Sequence, residues 1–332
     1  MKKRHLLTIG VLFIVFICRA QSISFNNPLV EQRADPWVYK AKSGVYYYTA
    51  TVPAYDRVIL RRAGTIDGLA NAPEKVIWSK HEAGTMANHI WAPELHRIDD
   101  VWYIYFAAGH SEDKWKIRMW VLSNTSEDPF DGDWNEEGQV QTKTDGFALD
   151  ATTFEHAGKR YLIWAESVLD GEGGTGLVLS EFEHPTQLVG PEVILTKPEY
   201  EWERQKYNVN EGPAVIKRNG KIFVTYSASA TNHNYCIGLL WIDEQADLLN
   251  PANWNKAPSP VFHSNAQHNR FGPGHNSFTV AEDGESSVMV YHARDYESIQ
   301  GHELDDPNRA TYAREVNWTI SGFPDFRQHS KD

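Results

Sequence analysis

Five short stretches of alternating apolar and polar residues, each rich in aromatic side chains and preceded by a turn signal, recur along the chain. They cover residues 44–48, 100–105, 158–164, 220–226 and 284–291. Counted from the last aromatic residue of each, successive stretches are 57 to 65 residues apart. Such stretches are typical of β-strands, and no long helical period interrupts the series. The pattern predicts five repeats of about 60 residues each.

Repeats of several strands that are too small to bury a face alone are typical of a β-propeller. A β-sandwich is the alternative, but sandwiches do not usually repeat at this period. The 332 residues suit one large all-β domain or two mid-sized domains, and either can bury a substantial core. The sequence therefore predicts an all-β fold, a five-bladed β-propeller, as a single domain over residues 21–332.

A second strand precedes each aromatic stretch, and a turn connects the two. These upstream strands begin, 13 to 16 residues ahead of the aromatic anchors, at Asp35, Trp91, Asp150, Glu211 and His275. In a propeller the innermost strand of every blade faces the central axis. We therefore predict that three carboxylates, an aromatic side chain and a histidine converge at one mouth of the channel, although they lie far apart in sequence.

Convergent carboxylates point to one type of chemistry. A lone aspartate at the start of a strand is usually a turn residue, but recurrence at one register favours function. Hydrolysis of a glycoside without a metal needs one carboxylic acid to protonate the leaving oxygen and one carboxylate to deliver or replace water. An inverting enzyme separates the two by roughly 6.5–9.5 Å so that a water fits between base and sugar. A third carboxylate near the acid raises the pKa of that acid by repulsion between like charges.

Five sequence blocks resemble the signature of glycoside hydrolase family 43 and occur in the order found in that family. They are RADPWVY at residues 33–39, WAPELH at 91–96, DATTF at 150–154, NEGPA at 210–214 and GHNS at 274–277. The resemblance implies a catalytic propeller that inverts the anomeric centre. It further implies that Asp35 is the general base, that Glu211 is the general acid, and that Asp150 raises the pKa of the acid and orients it.

Within that family, the N-terminal block and the YNVNEGP run at residues 207–213 are similar to exo-acting α-L-arabinofuranosidases that trim α-1,5-linked arabinan. By that resemblance Trp91 and Tyr207 line the sugar subsite, and Arg294 hydrogen-bonds the substrate. The alternatives are packing between blades for Trp91, and a surface position or an ion pair for the other two. The expected partner is a plant cell-wall pentose polysaccharide or oligosaccharide.

Other activities stay open at this point. A β-xylosidase or an endo-arabinanase of the same family would carry the same blocks. A non-catalytic carbohydrate-binding propeller is the alternative from another class, but three carboxylates at one register argue against it. An exo-acting enzyme would have a pocket that is closed on one side, whereas an endo-acting enzyme would have an open groove.

In many relatives a histidine at the position of His275 lies near a bound cation or an ordered water, so His275 is also a candidate substrate-site residue. Ca²⁺ rarely takes a histidine ligand, and no local cluster of metal ligands accompanies His275 in the sequence. We therefore predict no cofactor and no metal, with Ca²⁺ or Na⁺ near His275 as the alternative.

Charge and the N-terminus narrow the partners and the location. The net charge of −12 argues against nucleic acid and anionic membranes as partners. Basic residues at 2–4 and an apolar run at 6–18 predict a signal peptide over residues 1–20, and an uncleaved anchor is the alternative. Cleavage after Ala20 would leave Cys236 as the only cysteine, without a disulfide partner. We predict a secreted or periplasmic protein.

Overall fold

The computed structural model describes residues 23–169 and 173–328, and the predicted signal peptide lies outside these ranges. The described residues form β-strands together with four 3₁₀ helices, which are Asp67–Asn71, Glu201–Glu203, Pro251–Asn253 and Ala266–His268. No α-helix occurs among them, so the predicted all-β class is confirmed. Over the same residues, no helical segment has the length and apolar character that a membrane crossing requires.

Five antiparallel sheets follow one another along the chain. The first contains β1 (Ala34–Lys40), β2 (Tyr46–Thr51), β3 (Arg57–Ala63) and β4 (Lys75–Ser79). The second contains β5 (Asn88–Ile98), β6 (Val101–Gly109), β7 (Arg118–Asn124) and β8 (Asn135–Gln139). The third contains β9 (Ala148–His156), β10 (Lys159–Glu166), β11 (Gly176–His184), β12 (Gln187–Leu188) and β13 (Val193–Thr196). In each of these sheets the strands pair largely in chain order, except that β12 and β13 both pair with β11.

The remaining strands complete the set. The fourth sheet contains β14 (Asn210–Arg218), β15 (Lys221–Ala228), β16 (Cys236–Asp243) and β17 (Asn255–Lys256). The fifth contains β18 (Phe271–Val280), β19 (Ser287–Arg294) and β20 (Ala310–Glu315), and a small ribbon of β21 (Asn317–Trp318) and β22 (Pro324–Asp325) follows. The first strands of the five sheets contact one another in the cyclic order β1, β5, β9, β14, β18 and back to β1. This is a five-bladed β-propeller, as predicted.

The aromatic anchors explain why the blades pack. Tyr48, Tyr105, Trp164, Tyr226 and Tyr291 lie on the second strands and are fully buried. The five hydrophobic clusters lie between neighbouring blades, so that each interface between blades has its own core. A single four-stranded sheet has two faces and cannot cover both by itself, which is why the repeat specifies a ring.

The ring is closed by the segment ahead of β1. The backbone N–H of Leu29 donates to the carbonyl of Thr311 on β20 at 2.7 Å, and the N–H of Thr311 donates to the carbonyl of Val30 at 2.8 Å. The side chain of Asn27 donates to the carbonyl of Ala313 and accepts from its N–H, at 2.8 and 2.9 Å. Residues from the two ends of the described chain therefore share the fifth sheet.

Every inner strand carries a β-bulge at the same register, where three residue steps face two steps on the second strand. The second residue of each bulge has a left-handed backbone, and these residues are Asp35, Ala92, Asp150, Gly212 and His275, with φ between 44° and 58°. For a residue other than glycine this conformation costs about 1–2 kcal/mol. A bulge redirects a side chain relative to the regular sheet. Because the bulges recur at the start of the inner strands, they set the direction of the side chains at the channel mouth.

The bulges correct one detail of the sequence prediction. The sequence pattern aligns Trp91 and Glu211 with Asp35, Asp150 and His275. In the structure Trp91 and Glu211 each lie one residue ahead of the left-handed residue of the bulge. Counting back from the aromatic anchors cannot detect this shift, because the turn between the first two strands differs in length from blade to blade.

Candidate active site

A cavity of about 590 Å³ lies where the inner strands begin. Six of the seven residues predicted for the site line it, namely Asp35, Trp91, Asp150, Tyr207, Glu211 and His275. The three carboxyl groups come from β1, β9 and β14, so the structure brings together residues that are more than 170 positions apart in sequence. Arg294 is not among the lining residues.

Asp35 is buried beside positive charge and hydrogen-bond donors. Its carboxylate lies 3.4 Å from the guanidinium of Arg309 and 3.4 Å from Nδ1 of His275. Burial by itself raises the pKa of Asp35, but the neighbouring His275, Arg309 and His292 outweigh burial and hold it well below its ordinary value. Because burial lowers the pKa of both histidines, Arg309 is the permanent cation of the three. Asp35 is therefore ionised across the neutral range.

Glu211 has the opposite surroundings. Its Oε1 accepts a hydrogen bond of 2.7 Å from the hydroxyl of Tyr235. Burial raises the pKa of Glu211 to about 7, with the charge of Asp35 adding to the shift, while Tyr235 and Arg309 oppose it. A carboxyl group with this pKa carries its proton in mildly acidic solution and in about half of the molecules at pH 7, which suits a general acid.

Asp150 is linked to Glu211 by a hydrogen bond to the backbone of the next residue, Gly212. Its Oδ2 accepts the N–H of Gly212 at 3.0 Å, which fixes the bulge that presents Glu211. Burial, and then the charges of Glu211 and Asp35, raise the pKa of Asp150 well above its ordinary value. Since these buried carboxyl groups repel one another when ionised, Asp150 and Glu211 titrate as a coupled pair that retains a proton at neutral pH.

The N–H groups freed by the bulges show how the blades hold one another. In four blades this N–H donates to a side chain of the preceding blade around the ring. The pairs are Asp35 to His292 at 3.0 Å, Ala92 to Thr51 at 2.7 Å, Gly212 to Asp150 at 3.0 Å and His275 to Ser227 at 2.6 Å. The bulges that carry Asp35 and Glu211 are thereby each fixed by the preceding blade, which limits the motion of these two carboxyl groups.

Aromatic side chains form the walls of the cavity. Trp91 is 9% exposed, stacks on His89 with ring centroids 4.2 Å apart, and meets Tyr55 edge-on. Among the described residues nothing accepts a hydrogen bond from the indole N–H of Trp91, which is buried. Tyr207 and Trp115 are 43% and 47% exposed and lie at the rim. Trp91 packs in the hydrophobic cluster between blades and also lines the cavity, and its contact with a sugar stays a prediction.

Arg294 requires a correction. It is only 2% exposed, and its guanidinium donates to the carbonyls of Thr231 and Glu303 and to the carboxylate of Asp306. It therefore holds the segment between β19 and β20 in place and is not positioned to bind substrate. Arg309, at the end of that same segment, lines the cavity and contacts Asp35.

Sequence reasoning missed three residues of this site, Arg309, Tyr235 and His292. None belongs to the inner strands, from whose first residues the site was predicted. His292 had a usable signal, because it lies opposite Gly274 on the second strand of the fifth blade, where Thr51 and Ser227 occupy the corresponding positions of other blades. Arg309 and Tyr235 lie outside the strands, where register gives no guide.

His275, the position of the cation alternative, lies among carboxylates and backbone. Its Nδ1 lies 3.4 Å from Asp35 and 3.9 Å from Asp150, and its ring packs against Gly212, where an added Cβ would lie 3.0 Å from the imidazole. Within the described ranges no group of three histidine, cysteine or carboxylate residues is arranged to hold a metal ion. The absence of a metal therefore stays a prediction, and no step of the reaction is assigned to a cation.

Comparisons with known proteins agree with this geometry. The profile of glycosyl hydrolases family 43 matches residues 25–324. An extracellular exo-α-(1→5)-L-arabinofuranosidase of Streptomyces chartreusis is 56% identical over 277 residues, which cover 83% of this chain and 84% of that protein. The protein of the same description from Streptomyces avermitilis is 49% identical over 97% of this chain and 67% of its own length. A crystal structure of α-L-arabinofuranosidase from Lactobacillus brevis superposes with a TM-score of 0.89 at 49% identity, covering 91% of this chain and 96% of that one.

Proposed function

The chain belongs to glycosyl hydrolase family 43 and is a glycoside hydrolase, and from that premise we propose that it is a secreted, inverting exo-α-1,5-L-arabinofuranosidase. Its substrates are arabinan and arabino-oligosaccharides of the plant cell wall, from which it releases L-arabinose. The family membership confirms the resemblance drawn from the five sequence blocks. Secretion is supported by the two Streptomyces relatives, which are named extracellular.

The observation that carries the proposal is the contrast between two carboxyl groups that line one cavity. The pKa of Asp35 is held far below its ordinary value, whereas the pKa of Glu211 is raised to about 7. Between these values Asp35 is ionised and Glu211 is protonated, which is the pair of states that an inverting glycosidase needs at the same pH.

The reaction then proceeds in one displacement. Asp35 accepts a proton from a water as the water oxygen forms a bond to the anomeric carbon. Glu211 gives its proton to the leaving glycosidic oxygen as the bond between that oxygen and the anomeric carbon breaks. The water attacks from the face opposite the leaving group, so an α-linked arabinofuranoside yields the β anomer. Asp150, when it is ionised, favours the protonated form of Glu211 by repulsion, and its carboxyl oxygen holds the bulge that presents Glu211 through the N–H of Gly212.

Exo action is supported by a bridge across one side of the cavity. Lys206, in the segment ahead of β14, pairs with Glu303, in the segment between β19 and β20, at 2.7 Å. The hydroxyl of Tyr55 donates to the carbonyl of Leu304 at 2.7 Å and fixes the same segment to the first blade. Two contacts therefore hold this segment against the cavity, whereas an endo-acting enzyme needs a groove open at both ends.

The preference for arabinofuranose rests on the relatives, whose names specify α-L-arabinofuranosidase activity at 49% and 56% identity. The cavity adds apolar walls for a sugar ring, with Trp91 and Tyr207 among its lining residues. Apolar walls and a segment that closes one side of the cavity fit a small pentose at the end of a chain better than an internal unit of a polymer.

The test is a hydrolysis panel with product analysis. We expect α-1,5-arabino-oligosaccharides to be shortened with arabinose as the only early product, and arabinan to be trimmed without a rapid fall in viscosity. Xylo-oligosaccharides serve as the matched substrate control and should be cleaved far more slowly. Early release of arabinotriose from arabinan would establish an endo-arabinanase, and faster cleavage of xylosides would establish a β-xylosidase.

A further inference from the structure

Tyr235 contacts the acid Glu211 and is itself tightly confined. It lies directly ahead of β16, is 1% exposed, and donates its hydroxyl hydrogen to Oε1 of Glu211 at 2.7 Å. Its ring stacks on the imidazole of His292, with centroids 5.5 Å apart and planes inclined by only 3°. The backbone of Gly274 lies so close to this ring that an added Cβ would be 2.3 Å from it. These two contacts confine the phenol.

The hydrogen bond has a defined direction. Burial raises the pKa of Tyr235 well above its ordinary value, so that the phenol keeps its hydrogen and acts as a donor throughout the working range. A protonated carboxyl group has one O–H oxygen and one carbonyl oxygen. When Oε1 already accepts the phenol hydrogen, the carboxyl proton is placed on Oε2, because two donors cannot face each other across one short contact.

We propose that Tyr235 is a positioning residue for the general acid, in that it occupies Oε1 of Glu211 and thereby directs the transferable proton to Oε2. The proposal rests on the assignment of Glu211 as the acid in the proposed function. After the proton has left, the same hydrogen bond becomes charge-assisted and stabilises the carboxylate that forms, which is a contribution made at the transition state. Through the stacked His292, whose Nδ1 accepts the N–H of Asp35, the acid and the base share one rigid support.

Other charged groups also face Glu211, and the test must separate Tyr235 from them. Asp35 and Asp150 are carboxylates in the same cavity, Arg309 is the cation beside Asp35, and His275 lies between the two aspartates. Loss of the Asp35 charge lowers the pKa of Glu211, because repulsion is removed. Loss of a charge on Asp150 acts in the same direction, since the repulsion between Asp150 and Glu211 is mutual. Loss of the Tyr235 hydroxyl raises the pKa of Glu211, because a donor to the carboxylate is removed.

The experiment compares Tyr235→Phe with Tyr226→Phe. Tyr226 is the matched control, since it is also buried and also donates to a carboxylate, that of Glu203 at 2.9 Å, but it does not line the cavity. We expect Tyr235→Phe to move the alkaline limb of kcat/KM to higher pH. We also expect it to lower kcat on arabino-oligosaccharides about 10- to 100-fold, from the loss of a hydrogen bond to a charged group. Aryl arabinofuranosides with good leaving groups should be much less affected, and Tyr226→Phe should leave the limb in place.

Two further measurements keep the result decisive. Replacement of Tyr235 by 3-fluorotyrosine strengthens the donor and should move the alkaline limb to lower pH. The ¹³C carboxyl titration of Glu211, assigned by difference with Glu211→Gln, reports the same shifts without activity. An unmoved limb and titration in a folded Tyr235→Phe protein, with equal losses on both substrate types, would show that Tyr235 serves packing alone. A wild-type protein inactive on every arabinofuranoside would instead overturn the proposed function, and the carboxyl titration would still decide the role of Tyr235.

Discussion

The two halves of the active site, one around the buried Asp35 and one around the partly buried Glu211, have opposite electrostatics. On the Asp35 side a guanidinium lies 3.4 Å from the carboxylate, and two histidines complete its surroundings. On the Glu211 side the hydrogen-bond partner is the neutral phenol of Tyr235. The carboxyl group of Asp150 also interacts electrostatically with Glu211. Desolvation favours the protonated form at both sites, so the neighbours decide which group becomes the base and which the acid.

The largest expected effect comes from removing the base. Asp35→Ala should reduce the rate about 10²- to 10⁴-fold on every substrate, because the attacking water loses its proton acceptor whatever the leaving group. Steady-state rates on an oligosaccharide and on an aryl arabinofuranoside check this, with added azide as a replacement nucleophile that should give a β-configured product. Retention of more than about a tenth of the wild-type rate would remove Asp35 from this role.

Removing the acid should affect substrates differently, according to how much their leaving groups need protonation. Glu211→Ala should nearly abolish cleavage of arabinan, again about 10²- to 10⁴-fold, while sparing aryl arabinofuranosides with very good leaving groups, which need little protonation. The two substrates, measured on one protein sample, control for any loss of folded enzyme. Equal losses on both would assign Glu211 to another function.

A smaller effect should follow when only the coupling charge is removed. Asp150→Asn keeps an oxygen that can accept the N–H of Gly212 but removes the repulsion that favours protonated Glu211. The pKa of Glu211, raised to about 7 in the native site, should therefore fall, and activity should be lost at lower pH as the solution becomes alkaline. The rate profile against pH measures this shift, and its direction is opposite to that expected for Tyr235→Phe.

Asp150→Ala is the matched comparison, since it removes both the charge and the acceptor. It should show the same shift of the alkaline limb together with a further loss of kcat, because the bulge that presents Glu211 is no longer fixed. If the limb of the correctly folded Asn variant coincided with that of the wild type, Asp150 would be neutral in the working range and could not modulate Glu211.

The fold could be predicted from the sequence because its signal repeats. Each blade needs an aromatic strand at its centre, and Tyr48 and Trp164 occupy equivalent, fully buried positions for the same packing reason. Asp35 and Asp150 were placed correctly because inner strands converge in a ring whatever the lengths of the loops. For these two residues, the register within the repeat was sufficient to predict their position at the channel mouth.

The remainder depends on local geometry that no repeat encodes. The one-residue shift at Trp91 and Glu211 arises from bulges, whose presence changes the count between a strand start and its anchor. Two arginines, Arg294 and Arg309, flank a single loop, and only the folded path of that loop decides which reaches the cavity. Tyr235 reaches Glu211 because Gly274 leaves room for its ring, which is a contact between residues of different blades.

The most direct test of the central claim, that Asp35 acts as a base through water and Glu211 as an acid, is the anomeric configuration of the first product. Proton NMR during the first minutes of hydrolysis of an α-L-arabinofuranoside identifies the anomer before mutarotation in solution mixes the two forms. A single displacement by water predicts β-L-arabinofuranose. Early α-L-arabinofuranose, or transfer to added methanol with net retention, would mean that a covalent glycosyl-enzyme forms and would contradict the assignment of Asp35 as a base.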